Sequence, residues 1–241
     1  MKCVILAAGY ATRMHPLAMH VPKPFLDVGG KPIIDHIVDK VKGLGMTKIC
    51  AVTNHRFFPV FADWGKHQEI DVVDDGSVSN EDRKGAVGDC VLGLDCVGDD
   101  EDVLIIGGDN LFEDNLQNLL AMATKQKGVV IGLYDVKETS EAKRFGVVSV
   151  KENQVVKFVE KPEEPESTLI STLVYYIPKE TLKHVREFAE QGHDNSGELI
   201  RHLMEKGEVH SVVLNGRWVD IGTVEHLEQA RREFYGGLWK L

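Results

Sequence analysis

The chain has 241 residues, 43% apolar and 27% charged, with 23 Gly and 8 Pro; this globular composition excludes collagen-like, disordered and disulfide-scaffold classes and suits one large α/β domain. Lys and Arg number 28 against 38 Asp and Glu, a net charge of −10 that argues against general nucleic-acid or anionic-membrane binding and requires any phosphate ligand to meet a local cluster of cations. Cys3, Cys50, Cys90 and Cys96 form no C-x-x-C pair, no run approaches the roughly 18 apolar residues of a membrane span, and no signal-type segment opens the chain, which predicts a cytoplasmic protein with reduced thiols.

Residues 3–7 are a short apolar run ending before Gly9, which fits a buried strand. A loop rich in Thr, Arg, His, Pro and Lys follows. Ile33, Ile34, Ile37, Val38, Val41 and Leu44 then recur at helical spacing, opened by Pro32 and closed by Gly43 and Gly45. The alternation continues with strands predicted at 48–53, 70–73 and 103–107 and helices at 57–67, 86–97 and 115–125. It implies a mostly parallel, twisted α/β sheet of Rossmann-like type, covered on both faces, with ligands bound beyond the carboxyl ends of the strands. From about residue 128 the strands crowd together, at 129–134, 146–150, 154–159 and 169–177, which predicts an inserted antiparallel lobe. Helices near 178–190 and 196–206, strands near 208–213 and 217–221, and a last helix from 224 to about 235 complete a single domain over 1–241.

The loop Gly9-Tyr10-Ala11-Thr12-Arg13, with Lys23 further on, places small residues, a hydroxyl and two cations beyond the first strand. Backbone N–H groups of such a loop cradle phosphates, and Arg13 and Lys23 neutralise oxygens that gain charge during transfer. Taken singly, each of these residues also reads as part of a solvated connection. G-x-G-x-x-G and G-x-x-x-x-G-K-[ST] are both absent, which removes the dinucleotide and P-loop readings. Gly107-Gly108-Asp109 ends a strand with two residues that admit a ligand near the backbone and a carboxylate suited to Mg²⁺; Asp220, in Trp218-Val219-Asp220-Ile221-Gly222, is a second such carboxylate. Either Asp alone also reads as a helix cap. Glu160-Lys161-Pro162 offers an acceptor for sugar hydroxyls beside a cation for a phosphate, or else an exposed strand end closed by proline. The histidines lack H-x-x-x-H and H-E-x-x-H spacing and no G-x-S-x-G occurs, which argues against catalytic zinc and a serine nucleophile.

With these residues assembled, the chain resembles the sugar-1-phosphate nucleotidyltransferases over residues 1 to about 230. Leu6-Ala-Ala-Gly-Tyr-Ala-Thr-Arg-Met-His-Pro-Leu17 matches the L-A-[AG]-G-x-G-T-R-[LM]-x-P-L signature of that family, and Pro22-Lys23-Pro24 matches its P-K-P. The resemblance implies a nucleotide-diphospho-sugar transferase fold, with 1–127 as the nucleotide-binding part and 128–241 as the acceptor-binding lobe and closing elements. It implies nucleotide contacts from Leu6, Ala8, Gly9 and Thr12, with catalytic Arg13 and Lys23 at the phosphates. Lys84-Gly85-Ala86-Val87-Gly88 is similar to the L-G-T-[AG]-G segment of the family, which sets Gly85 against the base and makes Asn80 a candidate to read its edge. Asp109 and Asp220 match the aspartates that hold Mg²⁺, while Gly146, Glu160 and Lys161 match the sugar-phosphate contacts. Three positions depart from the pattern: Ala11 replaces a glycine, Ala86-Val87 is bulkier than Thr-Ala, and Leu173 stands where many members have glycine.

The implied activity is Mg²⁺-dependent transfer of a nucleotidyl group from a nucleoside triphosphate, UTP or dTTP favoured, to a sugar 1-phosphate. The chain stops at 241, which implies a short form without a C-terminal β-helix domain, and a homo-oligomer is compatible with it. A phosphocholine-type cytidylyltransferase using CTP would share the signature and recruit Tyr175, Tyr176 or Trp218 around a cationic acceptor. A non-catalytic nucleotide-sugar sensor would share the fold, although it needs no clamp on a leaving group.

Overall fold

Strand β1 (Lys2–Leu6) is buried along its whole length because parallel neighbours flank it, β2 (Lys48–Thr53) on one side and β4 (Val103–Gly107) on the other. A strand covered on both faces has no polar side to present, so it reads as a continuous apolar run. Strand β3 (Asp71–Asp74) extends the parallel group beyond β2. Helices α1 (Ile33–Gly43) and α2 (Phe58–Gln68) cover one face, with Ile34, Ile37, Val38 and Phe61 in one core with Cys3, Ile5 and Ala51. Helix α3 (Gly85–Val97) covers the other, where Val87, Cys90 and Leu94 share a core with Val4, Leu6, Cys50 and Val52. The computed structural model describes residues 1–234, so Tyr235 of the predicted last helix lies outside the described residues.

After β4 the chain forms β5 (Asn110–Phe112), a strand that sequence reading does not predict, and α4 (Gln117–Gln126) starts two residues later than expected. Three residues are too few to show alternation. Asp109 therefore precedes a strand, which removes its helix-cap reading; the turn before α4 is held by Asp114, which accepts from Leu116 N at 2.6 Å, and by Asn115, which accepts from Gln117 N at 3.1 Å.

The second half comprises β6 (Val129–Asp135), the short helix α5 (Thr139–Ala142), β7 (Gly146–Lys151), β8 (Gln154–Glu160) and β9 (Leu169–Ile177). Helices α6 (Leu182–Glu190) and α7 (Ser196–Lys206), strands β10 (Val209–Val213) and β11 (Trp218–Asp220) and helix α8 (Val224–Phe234) follow. All strands except β5 and β11 join one nine-stranded sheet in the order β3-β2-β1-β4-β9-β6-β10-β8-β7. Only β8 and β9 run against the other seven. The antiparallel lobe is present, and it is continuous with the parallel sheet through β9. Single pairs, Val147↔Ile170 and His210↔Gln154, bring β7, β9, β6, β10 and β8 round into a ring.

Leu173 takes φ 55°, where the β6–β9 register shifts between Ile131 and Leu133. Bulges adopt left-handed geometry at little cost when the residue is glycine, so the departure at Leu173 keeps the backbone and carries its strain. The four cysteines are free, and burial holds the Cys3 and Cys90 thiols well above their ordinary range, as reduced core residues.

One core position opposes stability. Asp89, on α3, is 7% exposed, its Oδ1 has no partner among the described residues, and burial first, then the charge of Asp75, pushes its carboxyl up to about 7. A raised carboxyl pKa means that the folded state binds the proton more tightly, so stability falls as pH rises towards 7 and the penalty is complete above it. Asp89→Asn should raise the unfolding free energy at pH 8 by up to about 4 kcal/mol, a gain that shrinks steadily as pH falls towards 4. Denaturant unfolding across that range checks it; a pH-independent difference would contradict it.

Candidate active site

The loop after β1 is held from beneath and open above. Asn54 donates from Nδ2 to Ala8 O at 3.0 Å and accepts from Phe57 N at 3.1 Å, fixing the buried Ala8. Tyr10 Oη donates to Ser77 O at 2.7 Å, and Ser77 donates from N and Oγ to Asp75 Oδ1, each at 2.7 Å. Leu6 is buried at the strand end, while Gly9 is exposed and a Cβ added to it would meet nothing within 4 Å. That open space lets a ligand approach the backbone. Ala11 adopts the left-handed conformation (φ 49°) that the family pattern assigns to glycine, so the loop keeps its shape and the alanine carries the strain. It leads into a 3₁₀ turn, Thr12–Met14, whose Met14 is anchored in the core and whose Thr12 and Arg13 are exposed.

Lys23 opens a later 3₁₀ turn between the buried Pro22 and Pro24, and its Nζ donates to Asp109 Oδ2 at 2.5 Å. Asp109 follows β4, and Asp220 is brought beside it by the antiparallel pairing of β5 and β11, in which Asp220 opposes Asn110. Trp218 Nε1 donates to Asn110 Oδ1 at 2.8 Å and Ile221 N to Asp109 O at 3.2 Å, which fixes that pairing. The two carboxyls lie close together, and burial together with the charge of Asp109 pushes the Asp220 carboxyl up to about 7. Burial opposes the charge on Lys23, yet Asp109 and Asp220 outweigh it and hold the ammonium above its usual range; Arg13 is close enough to act in the other direction. Arg13, Lys23, Asp109 and Asp220 thus share one electrostatic site.

Among the described residues no group of three or more His, Cys, Asp or Glu is arranged to hold a metal. The pair nevertheless fits Mg²⁺, which commonly takes one or two carboxylates and completes its shell with water and phosphate oxygens. Two touching carboxyls, one of them inclined to keep a proton and both under an ammonium, are groups short of positive charge.

The glycines behind Asp109 serve a different purpose from the one predicted. A Cβ on Gly107 would come within 2.6 Å of Asn110 Nδ2, and one on Gly108 within 2.9 Å of Leu6 O. Protein atoms fill both spaces, so these glycines permit β4 and its turn to close against β1 and β5. The side of Gly85 (φ +74°) that a Cβ would take is likewise filled, by Asp194 O at 2.9 Å. Asn80 is half-buried and accepts from Arg83 Nη1 at 3.3 Å, in a loop organised by Asp82, which accepts from Val78 N and Ser79 N.

On the acceptor side, Gly146 pairs with Glu160 across β7 and β8, and Lys161 Nζ lies 3.2 Å from Glu160 Oε1. Tyr175, Tyr176 and Trp218 are buried, and their polar atoms are engaged with Ser171, Asp102 and Asn110. Tyr175 and Tyr176 are core residues, whereas Trp218 also turns a face to the cavity beside Asp220.

Several site-bearing residues escape sequence reading. A cavity of about 410 Å³ opens beside Asp220, walled by Tyr134, Phe145 and Trp218 with Arg144 and Arg217 at its rim. Arg144 Nη1 donates to His226 Nε2 at 3.3 Å, so His226 Nδ1 carries the hydrogen that bonds Asp220 O at 3.0 Å. No motif announces His226, Asn54 or Asn110; only the fold brings them to the aspartates and the loop.

The sequence profile of a family described as nucleotidyl transferase matches residues 2–235. The bifunctional protein GlmU of Methanocaldococcus jannaschii is 32% identical over 225 residues, which are 92% of this chain and 51% of that protein, so the chain spans about half the length of such relatives. UTP–glucose-1-phosphate uridylyltransferase AglF of Haloferax volcanii is 28% identical over 96% of both chains. Among solved structures, one from Bacillus anthracis assigned as a glucose-1-phosphate thymidylyltransferase, in complex with a sucrose, superposes with a TM-score of 0.86 at 25% identity, covering 100% of this chain and 98% of its own. The apo form of a UDP-glucose pyrophosphorylase, at 19% identity and a TM-score of 0.81, shares the fold over 97% of each chain.

Proposed function

Because the chain belongs to the nucleotidyl transferase family, and within it to the enzymes that act on sugar 1-phosphates, we propose that it uses UTP or dTTP and a hexose 1-phosphate with Mg²⁺ to make a nucleotide sugar. An oxygen of the sugar phosphate forms a bond to the α-phosphorus as the bridging α–β P–O bond breaks, and pyrophosphate leaves with the electron pair. The attacking phosphate is already ionised at neutral pH, so no general base is required. Catalysis then rests on holding two anions in line and stabilising the charge that moves to the leaving group.

The observation that carries this reading is the cluster of Lys23, Asp109 and Asp220 after β4, the strand that neighbours β1 and its loop with the open Gly9. Arg13 and Thr12 face the departing pyrophosphate, and Lys23 exchanges its carboxylate partner for phosphate oxygens when the substrates enter. Mg²⁺ held by Asp109 and Asp220 would neutralise charge between the α-phosphate and the acceptor phosphate. Leu6, Ala8, Gly9, Asn80 and Gly85 receive the nucleotide in the 1–127 part of the single domain. Gly146, Glu160 and Lys161 receive the sugar phosphate in the 128–241 part. The Tyr175 and Tyr176 side chains are buried and engaged with Ser171 and Asp102, while the aromatic walls of Tyr134, Phe145 and Trp218 beside Asp220 keep a phosphocholine-like acceptor as the alternative that a substrate matrix decides.

A matrix of five nucleoside triphosphates against common sugar 1-phosphates and phosphocholine, scored by pyrophosphate release, tests the proposal. The expected result is release with UTP or dTTP and glucose 1-phosphate. Release only with CTP and phosphocholine would establish the cytidylyltransferase alternative, and binding without release would establish a sensor.

A further inference from the structure

Glu160 sits in a slot with glycine walls. Its Oε2 is 2.5 Å from where a Cβ on Gly197 would stand and 3.1 Å from one on Gly146, so α7 and β7 each press backbone against the carboxylate. Its Oε1 meets Lys161, which holds a left-handed conformation (φ 43°) and donates its N–H to Phe145 O at 3.0 Å.

The segment leading into α7 also reaches the opposite side of the site. Asp194 fills the space beside Gly85, and its carbonyl accepts from Val87 N at 3.4 Å at the start of α3. Asn195 ties the segment to α7, its Oδ1 accepting from Gly197 N at 2.7 Å and Glu198 N at 3.1 Å. The buried Tyr175, whose hydroxyl hydrogen-bonds Ser171 at 2.7 Å, lies close to Ser196. Four consecutive residues therefore contact the nucleotide-side helix at one end and the acceptor carboxylate at the other, with Asn195 capping α7 between them.

We propose that residues 194–197 are a positioning bridge that couples the two ligand sites. Seating a triphosphate against Gly85 presses on Asp194 and sets Gly197 against Glu160, so each ligand binds more tightly when the other is present. The inference rests on the functional reading above, in which Gly85 meets the nucleotide and Glu160 the sugar. A packed bridge that both sites bias is a physical route for coupling, and the coupling must be equal in both directions. Asn195 is the positioning residue: its Oδ1 is spent on two backbone hydrogen bonds that hold the bridge to α7.

Calorimetry with α,β-methylene-UTP, which binds without transferring its nucleotidyl group, and glucose 1-phosphate tests this on the intact protein. In the wild type each ligand should tighten the other by about fivefold or more. Asn195→Ala should bring that factor close to one while leaving each ligand's separate dissociation constant nearly unchanged, and Asn195→Asp, which keeps a capping oxygen, should restore it. Gly197→Ala should weaken glucose 1-phosphate directly by displacing Glu160. Independent binding in the wild type, or full coupling in Asn195→Ala, would overturn the bridge alone. Failure of the wild type to bind α,β-methylene-UTP and its thymidine counterpart alike, or to bind any hexose 1-phosphate, would overturn the functional reading and the bridge with it.

Discussion

Lys23→Ala should lower turnover at least about a hundredfold while the protein still folds, because loss of one preorganised donor to a developing anion costs on the order of 3 kcal/mol. The ligand-free geometry explains why no neighbour compensates. The Lys23 ammonium is bound to Asp109 at 2.5 Å and is held charged by two carboxyls, so it is the cation already in place when phosphates arrive. Arg13 is exposed on an earlier turn of the loop and acts on the Lys23 charge from there. Lys23→Arg keeps the charge and should recover only part of the rate, since a planar fork does not reproduce a point donor wedged between two prolines. Steady-state kinetics with circular dichroism as a folding control checks both variants, and retained turnover in Lys23→Ala would remove the residue from the mechanism.

Asp109→Asn and Asp220→Asn should each reduce turnover by a comparable or larger factor and also weaken binding of a divalent ion. Losing a residue that merely orients a metal ligand costs about 10–100-fold in affinity, so losing a ligand should cost at least that. Mn²⁺ binding followed by electron paramagnetic resonance reads this without reference to activity. Stability should move the other way. Two touching carboxyls, one buried strongly enough to favour its protonated form, oppose folding in the absence of metal. An amide at Asp220 therefore leaves the metal-free protein at least as stable, a combination of lost function and kept stability that marks a site strained for use. Unchanged Mn²⁺ affinity in both variants would place the ion elsewhere.

Much of this site is legible in the sequence because its residues lie at the ends of strong local patterns. The apolar runs that become β1, β2 and β4 are buried on both faces, and their ends mark where the phosphate loop and Asp109 begin. The departures at Ala11 and Leu173 are legible in the same way. Each stands where glycine is usual, and each proves to hold a positive φ, which is the geometry that favours glycine there. What the sequence hides are relations between distant segments. Strand β5 is three residues long and exists because Trp218–Asp220 pairs with it; without that pairing Asp109 and Asp220 would not meet. Gly107 and Gly108 read as room for a ligand, yet Asn110 and Leu6 occupy that room, since an unfilled space and a filled one look alike in a string of residues. Asp194 against Gly85 and Gly197 against Glu160 are likewise contacts of the folded chain, with no local signature.

The most direct measurement is a crystal structure with Mn²⁺ and the nucleotide sugar that the substrate matrix identifies, the ion being placed by its anomalous scattering. One peak is expected, bound by Asp109 and Asp220 and by phosphate oxygens of the ligand, with the Lys23 ammonium moved from Asp109 to those oxygens. A peak remote from the two aspartates, or a ligand bound with Lys23 still paired to Asp109, would contradict it.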